Sequence, residues 1–118
     1  MDGRIQNVVA EFGKQKFEAK YPDTITEAGM AGLISGNPDV KFVENLKFKL
    51  LVSLEKHHSK GILIDGHQEC AGNPVDDAQH KEDIVASVEF VKNLIGNKVP
   101  VVGVFVARDG DIWRVEEV

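Results

Sequence analysis

The stretch Gly61-Ile62-Leu63-Ile64-Asp65-Gly66-His67-Gln68-Glu69-Cys70 decides how the rest of this chain is read. A short apolar run bounded by glycines predicts a buried β-strand. At its exit stand an imidazole and a thiol, three residues apart. His67 and Cys70 are donors that suit a tetrahedral zinc ion, and Gly66 and Gly72 let backbone approach closely. Two donors do not make a site. The same pair also admits a metal-free reading in which Cys70 is a buried, inert thiol.

Working outward, the chain alternates helices with strands. Ile5, Val8, Val9 and Phe12 fall at helical spacing and predict a helix from Arg4 to about Ala19, with Asp2 available as its N-cap and Tyr21-Pro22 as its stop. Thr24-Ile25-Thr26 is β-branched and predicts a short strand; Gly32 to Pro38 reads as loop. A second helix is expected from Asp39 to about His58. Its stripe of Val43, Leu46, Leu50 and Leu54, widened by Phe42, Leu51 and Val52, implies burial against a sheet. After the His/Cys loop, Ile84, Val88, Val91 and Ile95 mark a third helix from about Asp77 to Leu94, closed by Gly96. Val99 to Ala107 is nearly all apolar, as a strand covered on both faces would be. Asp109-Gly110 is a hairpin turn that returns the chain through Ile112-Trp113-Arg114-Val115. This order predicts a single α/β domain over residues 1–118. Its expected form is three-layer α/β/α, with a mainly parallel sheet and an antiparallel C-terminal edge strand.

Composition narrows the function classes. The chain has 118 residues, 42% of them hydrophobic, enough for one core. A net charge of −5 without any basic run speaks against nucleic acid or an anionic membrane as partner. One cysteine excludes an intramolecular disulfide. No apolar stretch approaches the roughly 20 residues of a bilayer span, and no signal segment opens the chain, so a cytoplasmic location is expected. Open α/β sheets bind ligands at the carboxyl ends of their parallel strands. His67 and Cys70 are placed there.

Taken together, two stretches resemble the carboxyl-terminal half of a β-class carbonic anhydrase. They are Ile64-Asp65-Gly66-His67-Gln68-Glu69-Cys70-Ala71-Gly72 and the closing Val101 to Val115 with its glycine turn. Ala71 between Cys70 and Gly72 is a small departure from that family's Gly-His-x-x-Cys-Gly. The opening Met1-Asp2-Gly3-Arg4 matches the last part of the family's Cys-x-Asp-x-Arg, with the cysteine falling just before residue 1.

The resemblance implies zinc as cofactor, with His67 and Cys70 as two protein ligands. It implies Asp2 as the carboxylate that accepts a hydrogen bond from zinc-bound water or displaces it, and Arg4 as its ion-pair partner. Lacking the first cysteine, Asp2 is expected to serve as a third ligand; the α-amino group of Met1 is a further conceivable donor. The activity implied is reversible hydration of carbon dioxide to bicarbonate, since zinc lowers the pKa of bound water to about 7. A homodimer is implied as well. The family's first strand lies inside the sheet, so a chain without it should carry a gap there, and the start methionine is expected to be internal to a longer reading frame.

Other readings stay open. A non-catalytic metal- or anion-binding member of the same fold is the alternative, and a thiol enzyme with Cys70 as nucleophile and His67 as base is a third. Asp2 as a plain N-cap, His57 and His58 as helix-end cations, His80 as part of a solvated face or as lining of the site entrance, and Trp113 as packing are the structural counterparts. Glu27, Asp65 and Glu69 lie near strand ends and receive no role.

Overall fold

The computed structural model describes residues 1–118. In chain order it contains α1 (Gln6–Phe17), α2 (Met30–Ser35), α3 (Val40–Glu55), β1 (Ile62–His67), α4 (Asp77–Ile95), β2 (Val101–Asp109) and β3 (Ile112–Glu117). The strands form one sheet in the order β1-β2-β3. β1 runs parallel to β2, with Ile62 opposite Val101 and His67 opposite Val106. β2 and β3 are antiparallel, joined by a tight turn in which Gly110 takes the positive φ of 64° that the hairpin requires.

Strand alternation assigns the two faces. Ile62, Ile64 and Gly66, with Val101, Gly103 and Phe105, share the face toward α4. At Gly66 and Gly103 a Cβ would lie 2.5 Å from His80 Nε2 and 2.7 Å from Ile84, so glycine lets the helix approach the strands. Leu63, Asp65 and His67 share the other face, where Leu63 meets Gly13 of α1. Val104, Phe105 and Val106 are successive and all buried, so β2 is covered on both sides as its apolar run predicts. Phe105 joins Ile84, Val88, Val91, Ile95, Ala31, Ile34, Leu46 and Leu50 in the principal core. Each such side chain contributes about 1.5–3 kcal/mol when fully buried.

Helix ends follow local chemistry in two of the three expected places. The Asp39 carboxylate accepts from the Lys41 and Phe42 amides, and Gly96 closes α4 in the left-handed conformation. The cap of α4 is Asp76, one residue before the expected start. α1, however, begins at Gln6 with no side-chain cap, because the Asp2 carboxylate is taken by Arg4. Asp2 is therefore not its N-cap.

Three further expectations are corrected. Thr24-Ile25-Thr26 is not a strand, and the sheet stops at β1. Residues 30–35, within and just before the expected loop, form α2 instead, burying Ala31 and Ile34. α3 packs chiefly on α4 rather than on the sheet, since α4 and α2 already occupy that face. Its outer side leaves Val40 and Phe48 exposed.

A cavity of about 260 Å³ reaches every residue from Gly61 to His67. Successive strand residues face opposite ways, so a space touching all of them lies along the unpaired edge of β1. Val9 and Gly13 of α1 and Leu46 and Leu50 of α3 also wall it, and residues 21–27 line it without pairing to β1. That is why the Thr24 segment gains no ladder.

The loop after Cys70 is pinned to the start of α2 by two glycines. A Cβ on Gly72 would lie 2.4 Å from Gly29 N and 2.7 Å from the Ala28 carbonyl carbon. Backbone on both sides leaves nothing flexible to yield. Gly72→Ala should therefore lower stability by at least about 2 kcal/mol in urea unfolding. Gly3→Ala, where a Cβ meets nothing within 4 Å, should change it by no more than about 0.5 kcal/mol. Equal effects would refute the close crossing.

Candidate functional site

His67 ends β1 at the sheet's carboxyl edge, on the α1 side, and is 7% exposed. Its Nδ1 lies 2.7 Å from the Gln68 carbonyl oxygen. A carbonyl can only accept, so Nδ1 carries a proton, and Nε2 is the ring nitrogen through which a neutral His67 would offer a lone pair. No buried side-chain nitrogen or oxygen lacks a partner, and Nε2 has none, so it opens onto accessible space. Backbone anchoring of one ring nitrogen with the other free is the arrangement of a metal-ligating histidine.

Gln68 fixes this loop to the rest of the fold. Its amide N–H donates to Val106 O at 3.0 Å. Its side chain accepts from the Arg108 amide at 2.7 Å and donates to Asp77 at 2.5 Å. One residue thus ties the His/Cys loop to the end of β2 and the start of α4.

Asp2 and Arg4 meet as the resemblance implies. The Asp2 carboxylate accepts from Arg4 Nε at 3.1 and 3.0 Å, from Nη2 at 2.6 Å and from the Arg4 amide at 2.9 Å. These bonds hold its pKa well below the usual carboxylate range and push that of Arg4 upward. Asp2 is an ionised acceptor throughout the neutral range. Its Oδ2 stands 4.0 Å from His67 Nδ1.

Cys70 is half-buried, lines the β1 cavity together with His67 and makes no hydrogen bond to it. The thiol–imidazole pair of the third reading is therefore not formed. No group of three His, Cys, Asp or Glu side chains is positioned to hold a metal ion. Asp2, His67 and Cys70 are not gathered into one ligand set: Asp2 turns its oxygens to Arg4 instead. Two donors of the right kind are present, and they do not complete a zinc centre, which takes at least three protein ligands.

The structure brings to the site residues that the sequence reading weighed as surface, packing or without a role. His80 is buried, 3% exposed, not part of a solvated face. It rests on Gly66, with its ring edge-on to Phe105 and 6.4 Å from that of His67. Burial pushes its pKa down. Asp65, on β1 beside the cavity, has its pKa pushed up by burial. Trp113 sets its ring edge-on to His67 at 6.4 Å and carries Arg4 on its face. Arg108 is its cross-strand neighbour, a placement that follows from the hairpin register. His57 pairs with Asp23 at 2.6 Å at the cavity's other end, away from the His/Cys loop.

The loop following Cys70 is secured by a carboxylate on α4. Asp83 accepts from Asn73 at 2.8 Å and from Gln79 at 3.0 Å. Burial pushes its pKa up, but the bonds from Asn73, Gln79 and Ser35 outweigh that and leave it lowered. A lowered folded-state pKa gives stability that is complete above the ordinary value of 3.8 and lost as pH falls through the folded value. The stability difference between wild type and Asp83→Asn should be constant from neutrality to about that pH and shrink below it. A difference that grows on acidification would contradict the assignment.

The family model described as "Putative carbonic anhydrase" covers residues 1–118. No curated protein and no solved structure matches the chain. With the Asp2–Arg4 fork and the His67–Cys70 loop brought to one end of the sheet, and the family model spanning its full length, the chain belongs to the putative carbonic anhydrase family.

Proposed function

We propose that this protein hydrates carbon dioxide reversibly to bicarbonate at the His67 end of the β1 cavity. The observation that carries the reading is the Asp2–Arg4 fork beside His67, 4.0 Å from its ring. An ionised carboxylate accepts hydrogen bonds and donates none. Asp2, held rigid by Arg4, would accept a hydrogen bond from an attacking water or hydroxide and leave that oxygen's lone pair directed at the substrate. The adjoining cavity, with Val9, Ile34 and Leu46 in its walls, suits a small apolar molecule.

Zinc is the cofactor in this reading. His67 through Nε2 and Cys70 through Sγ are the donors the chain offers, and Asp2 would have to give up an Arg4 contact to become a third. We take the protein to act in the cytoplasm as a homodimer, without nucleic acid or membrane partners. No helix is long and apolar enough to cross a membrane. The outer edge of β3 is unpaired and ends in exposed Ile112 and Val118, a surface open to pairing.

One observation favours a second reading, a non-catalytic member of the family: no third donor stands with His67 and Cys70. Two measurements separate the readings. Zinc analysis of reconstituted protein should find metal that Cys70→Ser fails to retain. Stopped-flow hydration of carbon dioxide should exceed the buffer rate, and Asp2→Asn and Arg4→Gln should each lower it by about a hundredfold. Zinc-replete protein with only the buffer rate would leave the second reading. Light scattering that finds only monomer at high micromolar concentration would remove the dimer.

A further inference from the structure

Glu69, between His67 and Cys70 in the loop, divides its carboxylate between two arginines. Oε2 accepts from Arg4 Nη1 at 3.1 Å, and Oε1 from Arg108 Nη1 at 3.5 Å. Both guanidiniums lie against the Trp113 indole, their Cζ atoms 5.0 and 6.0 Å from its ring centroid.

The two cations are placed by contacts that do not involve Glu69. Arg4 is gripped by Asp2 through Nε and Nη2. Arg108 donates from Nε to Gly110 O at 3.0 Å, and its backbone amide is held by Gln68 at 2.7 Å. The seat between them exists independently of its present occupant.

That occupant is loosely held. Glu69 takes a φ of 58°, a left-handed backbone that disfavours any side chain with a Cβ. Its side chain is 52% exposed, those of Arg4 and Arg108 46% and 48%, and ion pairs so exposed to water are weak. A strained residue places a carboxylate in a preformed two-cation seat by weak bonds.

We propose that Arg4, Arg108 and Trp113 form a binding seat for a small planar carboxylate anion, which Glu69 fills from within the chain and an external carboxylate enters by displacing it. One donor meets each oxygen, so an O–C–O group fits the pair, whereas a spherical halide reaches one donor at a time. Displacement leaves Arg4 on Asp2 but cuts the tether between the amino terminus and the loop carrying His67 and Cys70. Carboxylate occupancy thereby loosens that loop. The inference needs neither bound metal nor turnover and is independent of the hydration reading.

Trp113 is the one tryptophan of the chain, so its emission reports on the seat. The full chain is titrated with sodium acetate at constant ionic strength made up with sodium chloride. A saturable change is expected. Glu69→Gln should bring its midpoint to about fivefold lower acetate, because the internal competitor is gone. Arg108→Gln should abolish saturation. An unchanged or higher midpoint for Glu69→Gln, a wild-type titration for Arg108→Gln, or emission that follows ionic strength alone overturns the proposal. If circular dichroism shows that Glu69→Gln does not fold, Arg108→Lys serves in its place. Lysine keeps the charge without the fork, so the midpoint should rise, and an unmoved midpoint overturns the proposal equally.

Discussion

The Arg4 guanidinium is the junction on which the site depends. Its Nε and Nη2 hold Asp2, its Nη1 reaches Glu69, and its plane lies on Trp113. Those three partners belong to the amino terminus, the loop after β1 and the strand β3, segments far apart in sequence. A guanidinium can do this because its donors are fixed in one plane and its flat face remains free for an aromatic ring. Lysine at this position would offer a point charge without the fork. The amino terminus is otherwise weakly secured: Ile5 is buried, but α1 has no side-chain cap and no buried residue of its own.

The sheet makes that junction possible. Parallel pairing of β1 with β2 places His67 level with Val106, and the hairpin register then puts Arg108 beside Trp113 on the same face. Glycine sets the depth on the opposite face. Gly66 admits His80 and Gly103 admits Ile84, so α4 sits close to the strands and leaves His80 only 3% exposed. Ring burial lowers the His80 pKa and favours the neutral form. A second imidazole close behind His67 therefore adds no charge to the site at neutral pH.

Much of this was legible in the chain. The periodic stripes of α3 and α4, the Asp39 and Gly96 termini, the apolar runs of β1 and β2 and the Asp109-Gly110 turn each express a local rule, and each element stands within a few residues of its expected place. The family resemblance was legible too, and so was the Asp2–Arg4 pairing. The failures share a cause. Thr24-Ile25-Thr26 has strand composition, but a strand needs a neighbour, and β1 faces a cavity there. α2 is only six residues long with Gly29 before it and Gly32 within it, so its helicity comes from packing Ala31 and Ile34 into the core rather than from propensity. The stripe of α3 announced burial correctly but could not say against what.

The absence of a ready-made three-donor cluster at Asp2, His67 and Cys70 has a different physical reason. Spacing identifies which groups can bind a metal, not how their lone pairs are already committed. Asp2 was assigned two roles from its motif, ligand and partner of Arg4, and a carboxylate that accepts four hydrogen bonds from one arginine has no oxygen left unengaged. Both roles draw on the same oxygens. In this structure the arginine holds them, and strongly enough to depress the Asp2 pKa. A cation at His67 and Cys70 would thus compete with Arg4 for Asp2, and Arg4 is itself stabilised by Glu69 and Trp113. The neighbours that hold Arg4 also set how readily Asp2 can turn toward His67, which couples the exposed arginine cluster to the buried end of the site.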